Sequence, residues 1–425
     1  MTSWPGFLYT LLFYLLVPVL LIRLWWRGRK SPGYRQRWWQ RFGLVPPVTG
    51  RPLWIHAVSV GETIAIAPLV ERLLNDFPEI PIVMTSMTPT GAERVQALFG
   101  DRVHHFYCPY DLPDAIQRFI QRIQPRGSLI VETELWPNMI AGCKKADVPV
   151  IIANARLSER SAKGYAKLAR LTQQMLSELT LLITQHQSDA ERFKQLGMPA
   201  ERILVSGSIK FDIQVDETTR LRGQQLREQL GERFTLILAS SHEDEEAQLL
   251  AAVSPLWERY PDLLVMLVPR HPERFEAVYR TALKFSDDVV CRSGRNQLLP
   301  DATTRIYLGD TMGDLMLLYA AADLVVMGGS FVNVGGHNPL EPAVLGLPVV
   351  MGPHHFNFAA ISEAMEQAGG MQRLQQMSEV TDLLAAYMQR PEMLSEVGSK
   401  AMHYADSQRG ALDRLYRQVS THLLS

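Results

Sequence analysis

Cysteine is scarce in this sequence, whose 425 residues include three: Cys108, Cys143 and Cys291. They are scattered, odd in number and free of any CxxC pair, so the sequence predicts no disulfide framework and suits a reducing compartment. No HExxH or comparable histidine spacing occurs, so we also expect no structural metal. The net charge of -1 argues against a general nucleic-acid-binding protein.

Acidic residues are also missing from the N-terminal region, where none precedes Glu62. The stretch from Trp4 to Ile22 carries no charge. With its flank it reaches about 23 residues, roughly 34 Å as a helix, which is enough to cross a bilayer. Because no basic segment precedes it and no small-residue cleavage site follows it, an uncleaved anchor is expected rather than a signal peptide.

Seven basic residues then follow without an acid: Arg23, Arg27, Arg29, Lys30, Arg35, Arg37 and Arg41. Together with Trp25 and Trp26 at the membrane interface, they predict that the rest of the chain lies on the cytoplasmic side. Pro18 and the aromatic content keep a second interpretation open, in which the helix is buried or merely interfacial.

The remaining chain is too long for one compact core and alternates short apolar strands with helical patterns, which predicts βαβ units and parallel sheets. The alternation stops in a polar segment near Asp212 and then restarts. We therefore expect an α/β protein of two Rossmann-like domains with an interdomain cleft. The expected segments are a membrane anchor with its basic flank (1–30), an N-terminal acceptor domain (31–212), a C-terminal nucleotide domain (213–400) and a returning C-terminal helix (401–425).

Chemically informative residues follow the predicted strands, where parallel α/β sheets bind ligands. In the first half, Ser59 and Glu62 form a possible capping box, and a Glu in the first turn of a helix is also a natural general base. Glu132 and Glu134 stand close together, so one of them is expected to meet a cation or a hydroxyl. Lys210 lies at the end of this half. A single lysine is usually solvated, so it is a candidate only together with other site residues.

The segment "GGHNPLEPAVLGLPVVMGP" (335–353) admits two interpretations. Asn338, Pro339 and Glu341 match a helix cap, a first-turn proline and a capping-box acid, which needs no ligand. Glycines upstream and a helix N-terminus equally suit a nucleotide phosphate, with Glu341 accepting from ribose hydroxyls.

Other turns of the second half carry candidate phosphate neighbours: Ser241 and His242, Pro269 to His271, and Met312 to Asp314. Arg270 can pair with a phosphate in forked geometry. Asp314, three residues after Thr311, also repeats a capping pattern and is open to a structural interpretation.

A basic segment follows another predicted strand of the first half. It contains Arg156, Arg160, Lys163, Lys167 and Arg170 against the single acid Glu159. It suits an anionic acceptor, or else a solvated helix face.

With these residues assembled, the sequence resembles the Kdo (3-deoxy-D-manno-octulosonic acid) transferase family of lipopolysaccharide synthesis over nearly its whole length. The motifs that carry the resemblance are "LIRLWWRGRK", "HAVSVGET", "TSMTPTGAERV", "VETELWPN", "ANARLSERS", "GSIKFD", "VPRHPERF", "GDTMGDL" and "GGSFVNVGGHNPLEPAVLGLPVVMGPHHFNF". One departure is Asp314, where the family commonly has Glu.

The resemblance implies a GT-B architecture, a CMP-Kdo donor and a lipid A precursor as acceptor, with no separate cofactor and no metal. Glu62 would be the base, and Glu132 and Lys210 would stabilise the transition state. The residues implied to hold CMP are Pro269, Arg270, Met312, Gly313, Asp314, Asn338, Pro339, Leu340 and Glu341, and His271 beside them is a further candidate.

Two rival functions remain open. A sugar-nucleotide 2-epimerase shares the two-domain architecture, although the anchor and the basic segment speak against it. A membrane-tethered binding or scaffold protein that keeps an inactive fold is the other.

Overall fold

The computed structural model describes residues 4–29, 31–213, 215–231, 233–295, 300–301 and 303–424. They form two compact units, Met1–Asp212 with Gly410–Ser425, and Ile213–Arg409. Each unit contains a seven-stranded parallel sheet, which confirms the α/β prediction. The second unit ends at Arg409, so the last residues of the chain belong to the first unit.

The sheet of the first unit has the strand order β3-β2-β1-β4-β5-β6-β7. Its strands are β1 (Leu53–His56), β2 (Ile82–Ser86), β3 (His104–Tyr107), β4 (Gly127–Val131), β5 (Val150–Ala155), β6 (Leu181–Thr184) and β7 (Ile203–Val205). The helices are α1 (Trp4–Arg27), α2 (Val60–Asp76), α3 (Pro89–Phe99), α4 (Pro113–Ile123), α5 (Pro137–Lys145), α6 (Glu159–Ala166), α7 (Ala169–Ser177) and α8 (Gln187–Gln195).

The sheet is covered on both faces, as near-continuous apolar strands predict. Leu53 and Ile55 of β1 enter one hydrophobic cluster, and Trp54 between them enters the other. A C-terminal helix closes the first cluster, with Leu412 and Leu415 packed inside it. Of the part of the chain that the structure describes, α1 contains a stretch, Gly6–Arg27, that by length and composition alone is able to cross a membrane.

The second unit has the strand order β10-β11-β9-β8-β12-β13-β14. In chain order its elements are α9 (Glu217–Leu230), β8 (Thr235–Ser241), α10 (Glu245–Val253), β9 (Leu264–Pro269), α11 (Phe275–Ala282), β10 (Val289–Cys291), β11 (Ile306–Leu308), α12 (Leu315–Ala320), β12 (Leu324–Met327), α13 (Leu340–Ala343), β13 (Val349–Met351), α14 (Ala359–Gln367), β14 (Met371–Arg373), α15 (Val380–Gln389) and α16 (Pro391–Ser407). The C-terminal helix of the first unit is α17 (Ala411–Val419).

In both parallel sheets, the order in which the chain adds strands reverses at an inner strand. β1 lies between β2 and β4, and β8 lies between β9 and β12. Such a reversal leaves a crevice at the carboxyl ends of the strands, and ligands bind there in open α/β sheets. The segments that follow β1 and β4, and those that follow β8, β9 and β12, are therefore the places to look for a site.

Candidate active site

Glu62 lies in the first turn of α2, directly after β1. The Ser59 side chain accepts from the Glu62 backbone N–H at 3.3 Å, and the carboxylate accepts from the Ser59 hydroxyl at 2.8 Å and from Val58 N–H at 2.6 Å. Ser59 therefore caps α2 as predicted, and Glu62 reaches back to Val58 N–H in a variant of the predicted capping box. Glu62 is only 7% exposed, and this burial raises the pKa of its carboxyl, while the bonds from Ser59 and Val58 oppose the rise.

Glu132 follows β4, the neighbour of β1, and forms an ion pair with Lys210. Its backbone is left-handed, with φ +64°, and its N–H donates to the carbonyl of Ala153 at 2.7 Å. The charges of Glu132 and Lys210 act on the pKa of Glu62 in opposite senses, Glu132 raising it and Lys210 lowering it. The structure thus brings all three predicted catalytic residues into one cluster within the first unit.

Lys210 reaches this cluster although its strand, β7, is at the edge of the sheet. After β7 the chain turns back across the carboxyl ends of the inner strands. Ser206 N–H donates to the carbonyl of Thr184 at 3.0 Å, and Ile209 N–H donates to Asn154 Oδ1 at 3.1 Å. These two bonds hold the one-turn helix that carries Lys210 over the sheet.

Of the neighbouring carboxylates Glu132 and Glu134, one meets a cation, as expected, and the other meets an indole. Glu132 pairs with the ammonium of Lys210, and Glu134 accepts from the indole N–H of Trp136 at 2.8 Å. Burial raises the pKa of Glu134, and the hydrogen bond from Trp136 partly opposes that rise.

The basic segment begins next to these carboxylates. Thr133 exchanges two hydrogen bonds with the backbone of Arg156, and the Arg156 N–H donates to its hydroxyl at 2.9 Å. The five basic side chains of the segment are all exposed: Arg156, Arg160, Lys163, Lys167 and Arg170. Arg160, Lys163 and Lys167 line an open cavity of about 660 Å³ on α6. Because these basic side chains are exposed, an anion can bind them without displacing a buried partner.

In the second unit, candidate residues follow four adjacent strands, β11, β9, β8 and β12. The turns after β8 and β9 are joined, because Arg270 N–H donates to the carbonyl of Ser241 at 3.1 Å. The side chains of Arg270 and His271 are exposed, while Pro269 is buried at the end of β9. The predicted turns of this unit therefore share one edge of its sheet.

Three histidines meet at that edge. The rings of His242 and His337 are nearly parallel, with centroids 5.3 Å apart and Nε2 atoms 3.0 Å apart, and His271 lies 5.7 Å from His242. A hydrogen bond between the facing Nε2 atoms requires one of them to donate and the other to accept, so at least one of the two rings is neutral. Burial, the neighbouring imidazoles and Arg270 lower the pKa of His337 to about 4, which agrees with that state.

Glu341 is partly buried near Arg270. Burial raises the pKa of its carboxyl, and the charge of Arg270 and a hydrogen bond from the Asn338 side chain oppose the rise. Asn338 Oδ1 also accepts from the backbone N–H of Leu340 at 3.2 Å. Asn338 therefore orders both the turn and the carboxylate of Glu341.

The helix predicted to start at this turn is much shorter than expected. Residues Leu340–Ala343 form a single turn whose cap position is Pro339, and Glu341 meets the side chain of Asn338 rather than completing a capping box. A macrodipole grows with the number of aligned peptides, so one turn contributes little of it. The short helix weakens the dipole expected here, and phosphate binding at this turn stays a prediction.

The glycines before this turn also serve the fold. Gly335 and Gly336 have φ of +105° and +72°, and both N–H groups donate to the carbonyl of Gly329, at 3.0 and 2.8 Å. Because these two donors are already paired, the expectation that they approach a ligand is wrong. The glycines instead close the loop that presents His337 and Asn338.

Hydrogen bonds from Thr311 and Arg292 fix the Met312–Asp314 turn. Asp314 accepts from the Thr311 hydroxyl at 2.8 Å and from Arg292 Nε at 3.2 Å. Desolvation alone would raise the pKa of Asp314, but Thr311 and Arg292 outweigh it and the pKa is lowered. Met312 is exposed and Gly313 is left-handed, with φ +88°. Asp314 is thus a structural anchor that leaves the Met312–Gly313 backbone at the surface.

Sequence reasoning missed the roles of Glu245 and Glu246, in the turn that also contains Ser241 and His242. Glu245 is buried and accepts from the N–H groups of His242, Gly329 and Phe331, so it fixes the loop after β12. Glu246 accepts from Arg274 through both oxygens at 2.8 Å. The run of four acidic residues, 243–246, shortly after a fully buried strand was the available signal.

Solved structures of similar architecture support the fold class. UDP-GlcNAc 2-epimerase from Neisseria meningitidis matches with a TM-score of 0.56 and 11% identity, covering 87% of this chain and 99% of its own. MurG from Acinetobacter baumannii matches with a TM-score of 0.54 and 14% identity, covering 87% of this chain and 99% of its own. At these identities the likeness concerns the fold alone, which is that of the GT-B class.

The family is shown by sequence. The model of the 3-deoxy-D-manno-octulosonic-acid transferase (Kdo transferase) family matches residues 36–213. The 3-deoxy-D-manno-octulosonic acid transferase of Haemophilus influenzae is 39% identical over 424 residues, 98% of this chain and 98% of the relative. The chain therefore belongs to the Kdo transferase family and is a glycosyltransferase. This membership decides against the epimerase alternative, whose support is the fold.

Proposed function

We propose that the protein transfers Kdo from CMP-Kdo to a lipid A precursor, with inversion at the anomeric carbon and with Glu62 as general base. The observation that carries the proposal is the position of Glu62. Its carboxylate is almost fully buried in the first turn of α2, beside the Glu132–Lys210 ion pair. Burial raises its pKa, which makes the ionised carboxylate a stronger proton acceptor.

In the proposed step, the hydroxyl oxygen of the acceptor attacks the anomeric carbon of Kdo while its proton passes to Glu62. The bond between that carbon and the phosphate oxygen of CMP breaks, and CMP leaves with the electron pair. Attack opposite the leaving group inverts the configuration. Each carboxylate oxygen of Glu62 accepts one hydrogen bond in the structure, from Val58 or Ser59, so a lone pair remains for the acceptor hydroxyl.

Lys210 and Glu132 are proposed to stabilise the transition state. Kdo carries a carboxylate of its own, and the ammonium of Lys210 is a cation suited to it. The ion pair with Glu132 fixes where that ammonium lies before substrate arrives. A charge that is positioned in advance costs no reorganisation during the reaction, which makes it effective in catalysis.

The second unit is proposed to hold the CMP part of the donor. Arg270 has an exposed guanidinium at a strand end and suits the phosphate. Glu341, kept near Arg270 and Asn338, suits the ribose hydroxyls. The exposed backbone at Met312 and Gly313 is proposed to contact the nucleobase or the phosphate of CMP. Because Arg270 balances the phosphate charge, the step needs no metal ion.

The acceptor is proposed to bind the first unit through its phosphates. Arg156, Arg160 and Lys163 are exposed next to the Glu132–Glu134 strand end, and a phosphorylated disaccharide offers the matching anions. The apolar helix α1 would keep the enzyme at the cytoplasmic face of the bacterial inner membrane, where a lipid acceptor is found.

The test is a transfer assay on the detergent-solubilised full-length protein, with CMP-Kdo generated in situ, tetra-acylated lipid A precursor as acceptor and EDTA added once the donor exists. Mass spectrometry is expected to show acceptor gaining Kdo residues, and to count them. No mass gain while CMP still binds would contradict the proposal and favour a binding protein. An altered sugar nucleotide without transfer would reopen the epimerase alternative.

A further inference from the structure

Helix α1 is docked along the first unit rather than projecting from it. Four of its side chains pack against a small apolar cluster at the start of α4: Phe13, Val17, Leu20 and Leu24 against Tyr110, Leu112 and Ala115. Phe13 also meets Trp136 edge to face, with ring centroids 6.4 Å apart. The packed positions recur every three or four residues, which makes one continuous face of the helix.

Hydrogen bonds also join this face of α1 to the rest of the first unit. Tyr9 donates to Asp111 at 2.9 Å, Tyr14 donates to Asp114 at 2.6 Å, and Thr10 donates to Asn138 at 3.1 Å. Asp111 is buried and also accepts from the backbone N–H groups of Asn138 and Met139, at 3.0 and 2.7 Å. The hydroxyl of Tyr9 therefore completes a carboxylate that fixes the start of α5.

This docking conflicts with a helix that crosses a bilayer. The contacts run from Tyr9 to Leu24, about 22 Å along the helix, while the hydrocarbon core is about 30 Å thick. A docked, crossing helix would carry the exposed Asp114–Arg118 ion pair of α4 into hydrocarbon. Charged side chains are strongly disfavoured at the bilayer centre. An undocked helix would leave the buried Asp111 without Tyr9.

The opposite face of α1 is exposed and wholly apolar. We define it as the lipid-facing stripe: Phe7, Leu8, Leu11, Leu12, Leu15, Val19, Ile22 and Trp26, each between 46% and 68% exposed. At its C-terminal end stand Arg23, Arg27 and Arg29. Trp25, 53% exposed, lies at the same end, where Arg29 and Arg35 stack against its ring and Arg35 donates to its carbonyl at 3.0 Å.

We propose that α1 lies in the plane of the membrane, with the lipid-facing stripe in the acyl boundary of an anionic leaflet and the opposite face on α4 and α5. Its arginines then meet lipid phosphates, as in interfacial helices. Both ends of α1 stay on the side of the catalytic body. The inference deepens the proposed membrane attachment and rests on it.

The test is cysteine labelling of the full-length protein in bacterial spheroplasts with a membrane-impermeant maleimide. Thr2→Cys and Ser3→Cys mark the chain before α1, and Glu79→Cys marks an exposed turn of the first unit. The native cysteines are buried, so the unaltered protein is the blank. For an in-plane helix, all three variants sediment with membranes and are labelled only after lysis.

The other outcomes distinguish a failure of the in-plane helix from a failure of membrane attachment. Labelling of Thr2→Cys or Ser3→Cys in intact spheroplasts, with Glu79→Cys protected, means that α1 crosses the membrane; the in-plane proposal is then overturned while membrane attachment stands. Labelling of Glu79→Cys alone before lysis means a crossing helix of opposite orientation, which likewise overturns the in-plane proposal and leaves attachment standing. Loss of all variants from the membrane fraction overturns attachment itself, and the in-plane helix with it.

Discussion

Lys210 forms an ion pair with Glu132, although the strands that precede them, β7 and β4, are separated in the sheet by β5 and β6. The pair exists because residues 206–211 return across the carboxyl ends of the inner strands. It brings a cation and a second carboxylate within electrostatic range of Glu62. The return of residues 206–211 across the sheet therefore places the proposed transition-state stabilisers near the proposed base.

Lys210→Met is expected to lower kcat by about 100-fold, because it removes a preorganised charge from the transition state. It also removes the cation that lowers the pKa of Glu62, so that pKa rises further. Since the base works only when ionised, the acidic limb of the kcat/KM profile should move to higher pH. Lys284→Met, at an exposed lysine, is the control; an unshifted limb in Lys210→Met would contradict the coupling.

Glu341→Gln is expected to raise the donor KM by about 10- to 100-fold, as for the loss of a charged hydrogen bond, while the fold survives. The partly buried carboxylate is bonded to Asn338 and lies in the field of Arg270 rather than forming part of a helix cap. KM for CMP-Kdo and thermal unfolding should be measured together, with Glu363→Gln as an exposed control. A destabilised protein with unchanged CMP affinity would assign Glu341 to the fold instead.

Neutralising Arg156, Arg160 and Lys163 together, each to Gln, should raise KM for the lipid acceptor and leave CMP affinity unchanged. These side chains are exposed, so the unaltered enzyme should also lose acceptor affinity as salt rises. Arg259→Gln, Lys284→Gln and Arg390→Gln in one protein form the control with the same charge change. Equal acceptor KM in both triple variants would mean that the segment is a solvated helix face.

Glu246→Ala should lower the free energy of unfolding of the second unit by about 3–5 kcal/mol, because it leaves Arg274 without its two-point partner. Glu246 is 2% exposed, whereas Glu243 nearby is exposed and has no such role. Glu243→Ala should change stability by no more than about 0.5 kcal/mol. Denaturant unfolding of both variants checks the contrast, and equal midpoints would show that the ion pair adds no stability.

Features that depend on neighbouring residues were predictable from the sequence. The alternation of strands and helices gave two parallel sheets, and the Ser59–Glu62 spacing gave the capping box, since its bonds join residues at most four positions apart. The single-turn helix at Leu340 was not foreseen because its end is set by tertiary packing, which local cap signals do not report.

Features that join distant segments were beyond sequence patterns. His242 and His337 are 95 residues apart, and no spacing rule relates them. The pairing of the Gly335 and Gly336 N–H groups with Gly329 depends on how the loop closes, so glycine content alone suggested free donors. Lys210 was proposed near Glu132 through family resemblance, and the crossing segment that places it there became visible in the structure.

The most direct test of the central claim is a comparison of Glu62→Gln with the unaltered enzyme for transfer rate and CMP affinity. Loss of a general base should slow transfer by about 100- to 10,000-fold. CMP affinity should not change, because the proposed nucleotide residues belong to the second unit. The remaining rate should also lose the acidic limb that the raised pKa of Glu62 gives the unaltered enzyme, whose activity falls as pH drops through that pKa. A Glu62→Gln enzyme that transfers Kdo at the unaltered rate, with the same pH profile, would contradict the assignment of Glu62 as the base.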